Sequence, residues 1–334
     1  MSPIEFDDDK GYKWLPSANH KGTAETDKDG EPGVLSYQFR RPPDGHQLFY
    51  GPYDDVYPGD DSYHPLYSKS QYCAPCHHGK FWDVLVYSEF QEWFDSSYSK
   101  DGIHCQDCHM KSDGKTSRFA LKKVGSLVRN PSTIPSHVNF GVNDKEFMKE
   151  AISLKTDADL YNDILKVTVT ITNTNSGHHY PTGNPMRNMI LLVETNDEKG
   201  KSLLLKKGAR VPSWGGEGLK ENGNYAGLPG KGFAKVLKNR PFYGFKQKKS
   251  YGNEHPVPHW RRTFIESDNR IAANSYDTST YEFKLSAVED AWVTITTKLI
   301  FRRSYKNWLD LKNLDTADME IGRSSLRVSQ NPFY

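Results

Sequence analysis

The sequence predicts an α+β protein in which an irregular, partly α-helical domain is followed by an antiparallel β-sandwich domain. The hydrophobic spacing changes near residue 160, from the period of a helix to the two-residue period of a strand. All four cysteines lie before this change, between residues 73 and 108. A chain of 334 residues is long enough for two ordinary domains.

Composition suggests a division of the chain into three parts. We expect an extended N-terminal arm at 1–45, a cysteine-bearing domain at 46–155 and a sandwich domain at 156–334. Residues 11–72 are rich in Pro, Gly, Asp and Tyr and have little periodicity, which is typical of irregular structure. A Gly- and Lys-rich segment at roughly 206–262 is interpreted as a long basic insertion in the sandwich.

Hydrophobic spacing predicts two helices in the cysteine-bearing domain. One begins near Ser88, because Ser88 and Gln91 fit a capping box. Its apolar face consists of Phe90, Trp93 and Phe94. The second helix is expected over 144–154, where Phe147, Ala151 and Leu154 have helical spacing.

Alternating apolar residues predict strands in the second half of the chain. Every odd position of 165–172 is apolar, which is typical of a half-buried strand. Similar patterns occur at 189–193, 281–285 and 293–301. Several β-branched strands joined by loops favour an antiparallel sandwich.

Every cysteine belongs to one of two copies of the pattern C-x-x-C-H. The copies are Cys73-Ala74-Pro75-Cys76-His77 and Cys105-Gln106-Asp107-Cys108-His109. Positions i, i+3 and i+4 of a helical turn share a face, so two thiols can bond the vinyl groups of a porphyrin while the imidazole reaches the iron. This pattern is the attachment signature of c-type haem. It predicts two covalently bound haem c groups, with His77 and His109 as proximal iron ligands.

Three other uses of paired cysteines fit less well. A zinc ribbon usually separates its pairs by about 15–20 residues, whereas 28 residues separate Cys76 from Cys105. A thioredoxin-like site needs one C-x-x-C in a βαβ setting. Two structural disulfides are the remaining alternative for an exported protein. Two matches that together use every cysteine favour haem.

Haem iron in an electron carrier usually takes a second axial ligand, His or Met. Ten histidines lie outside the two motifs. Position favours His137 in the loop after the cysteine region, His178 and His179 at the end of a predicted strand, and His64, nine residues before Cys73.

Other candidates rank lower as second ligands. His78, His104 and Met110 adjoin the motifs, where the backbone would have to reverse for them to reach their own haem. His255 and His259 lie in the basic segment and are held in reserve.

Several longer motifs accompany the cysteines. They are SQYCAPCH at 70–77, EWFDSSY at 92–98, GIHCQDCHM at 102–110, HVNFG at 137–141, and NTNSGHHYPTG at 173–183 with Arg187. Together they resemble a module of bacterial and archaeal multihaem c-type cytochromes, with its EW…S helix, CQDCHM, H-x-F-x-G and GH-x-x-PTG signatures. The resemblance covers about residues 50–200 and, weakly, the strands near 270–305.

This resemblance implies that residues 46–155 form a dihaem cytochrome c domain on which a β-sandwich packs. It also implies that His137 and His178 are the distal haem ligands. Many relatives have a His where Tyr98 stands here, which leaves the ligand of one haem to be identified.

The expected function is single-electron transfer between redox partners in the periplasm or outside the cell. One alternative is a subunit of a larger electron-conducting assembly or filament. Another is a peroxidase-like or oxyanion-reductase-like haem enzyme with one open iron site. The many spare histidines argue against an open site, so an electron carrier is preferred to a catalyst.

Charge and hydropathy exclude two classes of partner. Lys plus Arg number 44 against 42 for Asp plus Glu, so nothing indicates a nucleic-acid binder. No apolar run approaches the length of a membrane-spanning helix. Haem c attachment implies export, and because residues 1–10 are acidic and unlike a signal peptide, we expect that a leader has been removed or replaced.

The near-neutral total charge conceals an uneven distribution. Residues 1–62 carry 13 acidic and 6 basic side chains, whereas residues 206–262 carry 13 basic and 3 acidic ones. Charged segments of this kind are usually solvated faces. The alternative is that the basic segment contacts an acidic surface, either the N-terminal arm of the same chain or that of a second copy, so a second copy of this chain is a candidate partner besides unidentified redox proteins.

Overall fold

The computed structural model describes residues 4–7, 11–14, 53, 65–118, 127–240, 256–285, 292–314 and 317–329. The chain divides into two compact units, Met1–Asn143 and Asp144–Tyr334. Many strands and a few short helices make the protein α+β, as the sequence predicts. Among the residues that the structure describes, no helix is both long enough and apolar enough to span a membrane.

Short helices and hairpins make up the described part of the first unit. The helices are α1 (Ala74–His77), α2 (Glu89–Phe94), α3 (Ser97–Lys100) and α4 (Cys105–His109). The hairpins pair β1 (Ile4–Asp7) with β2 (Gly11–Trp14) and β3 (Gly79–Phe81) with β4 (Val84–Tyr87). Helices of four to six residues have little intrinsic stability, so tertiary contacts must hold them in place.

The helix predicted near Ser88 is confirmed, since Ser88 is the N-cap of α2. The predicted capping box does not form, because the Ser88 hydroxyl donates to Glu92 and the Gln91 amide donates to Asp95. The aromatic face of α2 packs on α1. Its buried members are Phe90 and Trp93, which contact Ala74, with Phe94 and Tyr98 packed against them.

Antiparallel strands and two short helices make up the second unit. The strands are β5 (Ile152–Tyr161), β6 (Ile164–Asn173), β7 (Asn188–Asn196), β8 (Leu204–Lys207), β9 (Gly230–Asn239), β10 (Thr263–Asp268), β11 (Tyr276–Lys284), β12 (Trp292–Arg302) and β13 (Met319–Ser329). The helices are α5 (Lys145–Glu150) and α6 (Lys306–Leu311). Strands predicted at 165–172, 189–193 and 293–301 are confirmed as β6, β7 and β12, and the one at 281–285 forms the end of β11.

The helix predicted over 144–154 is wrong at its C-terminal end. Asp144 caps α5 by accepting a hydrogen bond from the Phe147 N–H, but the helix stops at Glu150. From Ile152 onward the backbone pairs with β6 along the whole length of β5, and this ladder replaces the helical hydrogen bonds.

Two antiparallel sheets of the second unit form a sandwich-like arrangement. One has the strand order β10-β9-β7-β12-β13 and the other β5-β6-β11-β8. The four apolar side chains on the inner face of β6 are completely buried: Leu165, Val167, Val169 and Ile171. A hydrogen bond of 2.7 Å between the hydroxyls of Thr156 in β5 and Thr297 in β12 joins the two sheets.

The five-stranded sheet is also covered on its outer face. Ile190 and Leu192 of β7 pack there against Trp214, Tyr305 and Trp308. Trp214 and strand β9 both come from segment 206–262, so much of that basic segment is built into the sandwich.

Candidate haem-attachment site

The first C-x-x-C-H motif forms one tight helical turn. Cys73 is the N-cap of α1, and its carbonyl accepts the N–H groups of Cys76 at 3.1 Å and His77 at 3.0 Å. The Cys76 residue is exposed, and 56% of the His77 side chain is exposed. A thiol and an imidazole on this turn are therefore accessible to a macrocycle.

The second motif coincides with helix α4. Its N-cap is His104, whose N–H donates to the Asp107 carboxylate at 2.7 Å. The helix ends at His109, and the Met110 N–H then closes the last turn by donating to Gln106 at 2.9 Å. The geometry expected from the spacing is present in both motifs.

A buried serine joins the two motifs. The Ser70 hydroxyl accepts the Cys105 N–H at 3.0 Å, and the Ser70 carbonyl accepts the Cys73 N–H at 2.9 Å. The Cys73 and Cys105 thiols lie close enough to influence each other, and this interaction raises the pKa of Cys73 and lowers that of Cys105. The first cysteines of the two motifs thus lie side by side, and none of the four cysteines forms a disulfide.

Further contacts strengthen this joint between the motifs. The Gln106 amide donates to the carbonyls of Tyr67 at 2.9 Å and Lys69 at 2.8 Å. The His104 ring lies 3.3 Å from the Ser70 hydroxyl, and burial lowers the pKa of His104. His104 therefore contributes to the joint between the motifs.

The two motif histidines have different partners at Nδ1. His77 Nδ1 lies 3.2 Å from a carboxylate oxygen of Glu89, and His109 Nδ1 lies 2.5 Å from the Phe140 carbonyl oxygen. Because both partners are acceptors, each ring carries its proton on Nδ1. In each case Nε2 then has the lone pair that a metal can bind.

The loop that carries His137 is tied to the second motif. The Ser136 N–H donates to Met110 and the Phe140 N–H donates to His109, each at 3.0 Å. His137 is exposed between these two anchors. Of the predicted distal ligands that the structure describes, His137 is the one in the same unit as both motifs.

His178 and His179 belong to the second unit. His178 Nδ1 lies 2.9 Å from the Ser176 hydroxyl and 3.0 Å from the His179 carbonyl, which holds the half-buried His178 ring in one orientation. The His178 carbonyl in turn accepts from the Asn173 amide at 2.8 Å. The remaining candidate, His64, lies outside the described residues.

The lower-ranked candidates are occupied elsewhere or lie outside the described residues. His78 is buried edge-on against Phe90. Burial lowers the pKa of His78 to about 4, although the negative charge of Glu89 acts in the opposite direction. His259 is 7% exposed and packs on Trp260, and burial lowers its pKa. His255 lies outside the described residues.

Tyr98 occupies the position at which many members of the family that this chain resembles were expected to have a histidine ligand. Its ring packs against the Phe90 and Trp93 cluster, and its pKa is raised, mainly by burial and further by Cys108. This phenol therefore lies close to the second motif.

The residues present fit a haem better than a bare metal ion. Among the described residues, no group of three or more His, Cys, Asp or Glu side chains could hold a metal ion. A haem iron needs only axial ligands from the protein, because the porphyrin supplies the rest. Two thiols outside any disulfide and an oriented imidazole on one helical turn, repeated twice, match that requirement.

Comparison with known proteins supports a cytochrome-like fold. No family model matches the chain, and no curated protein matches it. Among solved structures, a penta-haem cytochrome c552 from Thermochromatium tepidum aligns with a TM-score of 0.56 and 18% sequence identity. The alignment covers 80% of this chain and 58% of that chain, so this chain spans little more than half of its length.

At this identity the likeness concerns the fold alone, and it supports a fold similar to that of the multihaem cytochrome. Two further alignments, to the Danio rerio Fcho1 Mu homology domain and to a PapD-like domain of human CEP192, have TM-scores of 0.18 and 0.16 and carry no argument.

Two residues of the site are not singled out by the sequence patterns. Ser70 precedes the first motif by three positions, and Glu89 is the first residue of α2. Their partners lie 35 and 12 residues away, which no local pattern reveals. The sequence shows a polar residue just before a cysteine motif and a carboxylate on the intervening helix, but it does not show which residues they contact.

Proposed function

We propose that this protein is a dihaem c-type cytochrome that carries single electrons between redox partners outside the cytoplasmic membrane, in the periplasm or extracellular space. The observation that carries the proposal is the pair of hydrogen bonds by which Ser70 accepts the backbone N–H groups of Cys105 and Cys73, which holds the first cysteines of the two C-x-x-C-H motifs close together. Two attachment points held close together favour electron exchange between the attached groups.

Each motif has a defined role in the proposal. The thiols of Cys73 and Cys76 hold one haem and those of Cys105 and Cys108 the other, by thioether bonds. His77 and His109 are the proximal ligands, because the hydrogen bond at Nδ1 of each ring leaves the lone pair of Nε2 to bind the iron. When bound, haem supplies a reversible one-electron couple whose potential depends on axial ligands, hydrogen bonds and burial.

The distal ligands are assigned to His137 and His178, with His64 and His179 as alternatives. The loop of His137 is anchored on His109 and Met110, which holds it close to the second motif. His178 has its Nδ1 committed to Ser176 and the backbone, as ligating histidines usually have. His179 provides only its carbonyl to that arrangement, which favours His178 over its neighbour.

Mass spectrometry of the exported protein tests the proposal. We expect two covalent haem additions in the wild type and one in each of two variants, Cys73→Ala/Cys76→Ala and Cys105→Ala/Cys108→Ala. A mass without haem, with cysteines free or joined in disulfides, would contradict the proposed function.

Uneven charge supports a second candidate, a subunit of a self-assembling electron-conducting structure. Part of the basic excess in 206–262 is already neutralised by ion pairs within the second unit. These are Lys207–Glu282, Lys220–Glu194, Lys231–Asp277 and Lys238–Glu266. These pairs reduce the basic excess that the segment can present to the acidic arm of a neighbouring copy.

Light scattering over a salt series tests this second candidate. Contacts between exposed charges weaken as the Debye length falls from about 10 Å at 0.1 M to about 3 Å at 1 M salt. Assembly should therefore decrease with salt and with deletion of residues 1–45. A monomer at low salt and high protein concentration would contradict self-assembly and support an electron carrier that acts as a single chain.

A further inference from the structure

The two motif histidines differ in the charge of the group that holds them. His77 donates from Nδ1 to the Glu89 carboxylate at 3.2 Å. His109 donates from Nδ1 to a neutral backbone carbonyl, that of Phe140, at 2.5 Å. The two sites have the same attachment motif, but the partner of the histidine Nδ1 differs between them in charge.

Glu89 is placed to act on His77. Its side chain is only 14% exposed. The second carboxylate oxygen, Oε2, is buried and has no hydrogen-bond partner within the described part of the chain. The carboxylate is therefore largely withdrawn from water, and its described hydrogen bond is the one to the imidazole.

Packing fixes Glu89 in this position. Glu89 is the first residue of α2, and the next residue, Phe90, is buried against Ala74 of α1. The helix that carries the carboxylate is thus packed on the helix that carries His77. A rigid support of this kind is what a residue needs in order to orient a ligand reproducibly.

We propose that Glu89 is a positioning residue that lowers the midpoint potential of the haem attached at Cys73 and Cys76. A carboxylate that accepts from Nδ1 raises the basicity of the imidazole and so favours ferric over ferrous iron. The neutral carbonyl of Phe140 has a weaker effect on His109. The inference rests on the proposed function, and it makes the haem at Cys105 and Cys108 the preferred electron acceptor of the pair.

Spectroelectrochemical titration of the full-length holoprotein tests the inference. We expect Glu89→Gln to shift the reduction equilibrium of one haem at least tenfold towards the ferrous form, a rise of about 59 mV for a one-electron couple. The other midpoint should stay near its wild-type value. Glu89→Asp keeps the charge on a shorter side chain and should produce a smaller rise.

Asp95→Asn is the matched control. Asp95 is exposed at the C-cap of the same helix and accepts from the Gln91 amide, so the variant removes one carboxylate without touching either imidazole. Unchanged midpoints in Glu89→Gln, or an equal shift in Asp95→Asn, would overturn the inference. Loss of the first haem from Glu89→Gln with wild-type midpoints in Glu89→Asp would also overturn it, because Glu89 would then be structural.

The haem count separates this inference from the function on which it rests. A chain that carries no covalent haem contradicts the proposed function before any titration is made. A chain with two haems whose midpoints do not respond to Glu89 contradicts the inference alone.

Discussion

His109 and Phe140 are hydrogen-bonded to each other in both directions. The Phe140 N–H donates to the His109 carbonyl at 3.0 Å, while the His109 ring donates from Nδ1 to the Phe140 carbonyl at 2.5 Å. The first bond fastens the end of the 136–140 loop to α4, and the second orients the imidazole. One short loop therefore orients the proposed proximal ligand His109 and carries a candidate distal ligand, His137.

We expect replacement of His137 or His178 by Ala to leave one haem high-spin and able to bind carbon monoxide. Loss of an axial imidazole opens a coordination position on the iron. Optical spectra of the ferrous protein with and without carbon monoxide measure the change. Val138→Ala is the control for His137, because Val138 is an exposed neighbour in the same loop, at 68% exposure.

The His179→Ala variant separates the two adjacent histidines. If His179→Ala has a high-spin haem and His178→Ala does not, then His179 is the ligand and His178 is not. Unaltered spectra in all three histidine variants would remove these residues as ligands and direct attention to His64. Carbon monoxide binding by the wild type would favour a haem enzyme with one open site.

Replacement of Ser70 by Ala should weaken the joint between the motifs. The change removes the acceptor of the part-buried Cys105 N–H, and a donor left without a partner costs up to about 1–3 kcal/mol when it is buried. We expect a lower thermal unfolding temperature and fewer chains with two haems. Ser132→Ala is the control, since Ser132 is exposed and bonds only locally, to Asn130. Equal stability and equal haem loading in the two variants would contradict a role for Ser70.

Local patterns account for what the sequence predicts well. The C-x-x-C-H spacing requires one helical turn, and α1 and α4 are such turns. The odd-position pattern of 165–172 requires a strand with one buried face, and β6 is that strand. Both predictions depend only on neighbours along the chain, which the sequence displays directly.

Long-range pairing explains where prediction fails. Leu154 fits the spacing of a helix with Phe147 and Ala151. It also lies two residues from both Ile152 and Thr156, which is the spacing of residues on one face of a strand. Pairing of β5 with β6 decides in favour of the strand. The contact between Ser70 and Cys105 likewise depends on the tertiary fold, so local spacing contains no signal for it.

Replacement of Asp318 by Ala should destabilise the second unit by about 3 kcal/mol. Asp318 pairs with Arg302 through two hydrogen bonds, of 2.6 and 2.8 Å, and the Arg302 side chain is only 1% exposed. Removing the carboxylate leaves a buried cation without its counter-ion. Thermal or urea denaturation followed by circular dichroism measures the loss. Glu320→Ala is the control, because its ion pair with Arg323 is largely exposed and should contribute less than about 1 kcal/mol.

His259 should make the second unit less stable in mild acid. Burial lowers the pKa of His259 below its ordinary value of 6.5, so the unfolded chain binds a proton at a higher pH than the folded chain does. The contribution to stability is complete above about pH 6.5 and is lost as pH falls towards the folded pKa. We expect the urea midpoint to fall between pH of about 7.5 and 5.5, and His259→Phe to reduce that fall. Trp260→Phe keeps the imidazole and should keep the wild-type pH dependence. An unchanged pH dependence in His259→Phe would show that other groups cause the acid sensitivity.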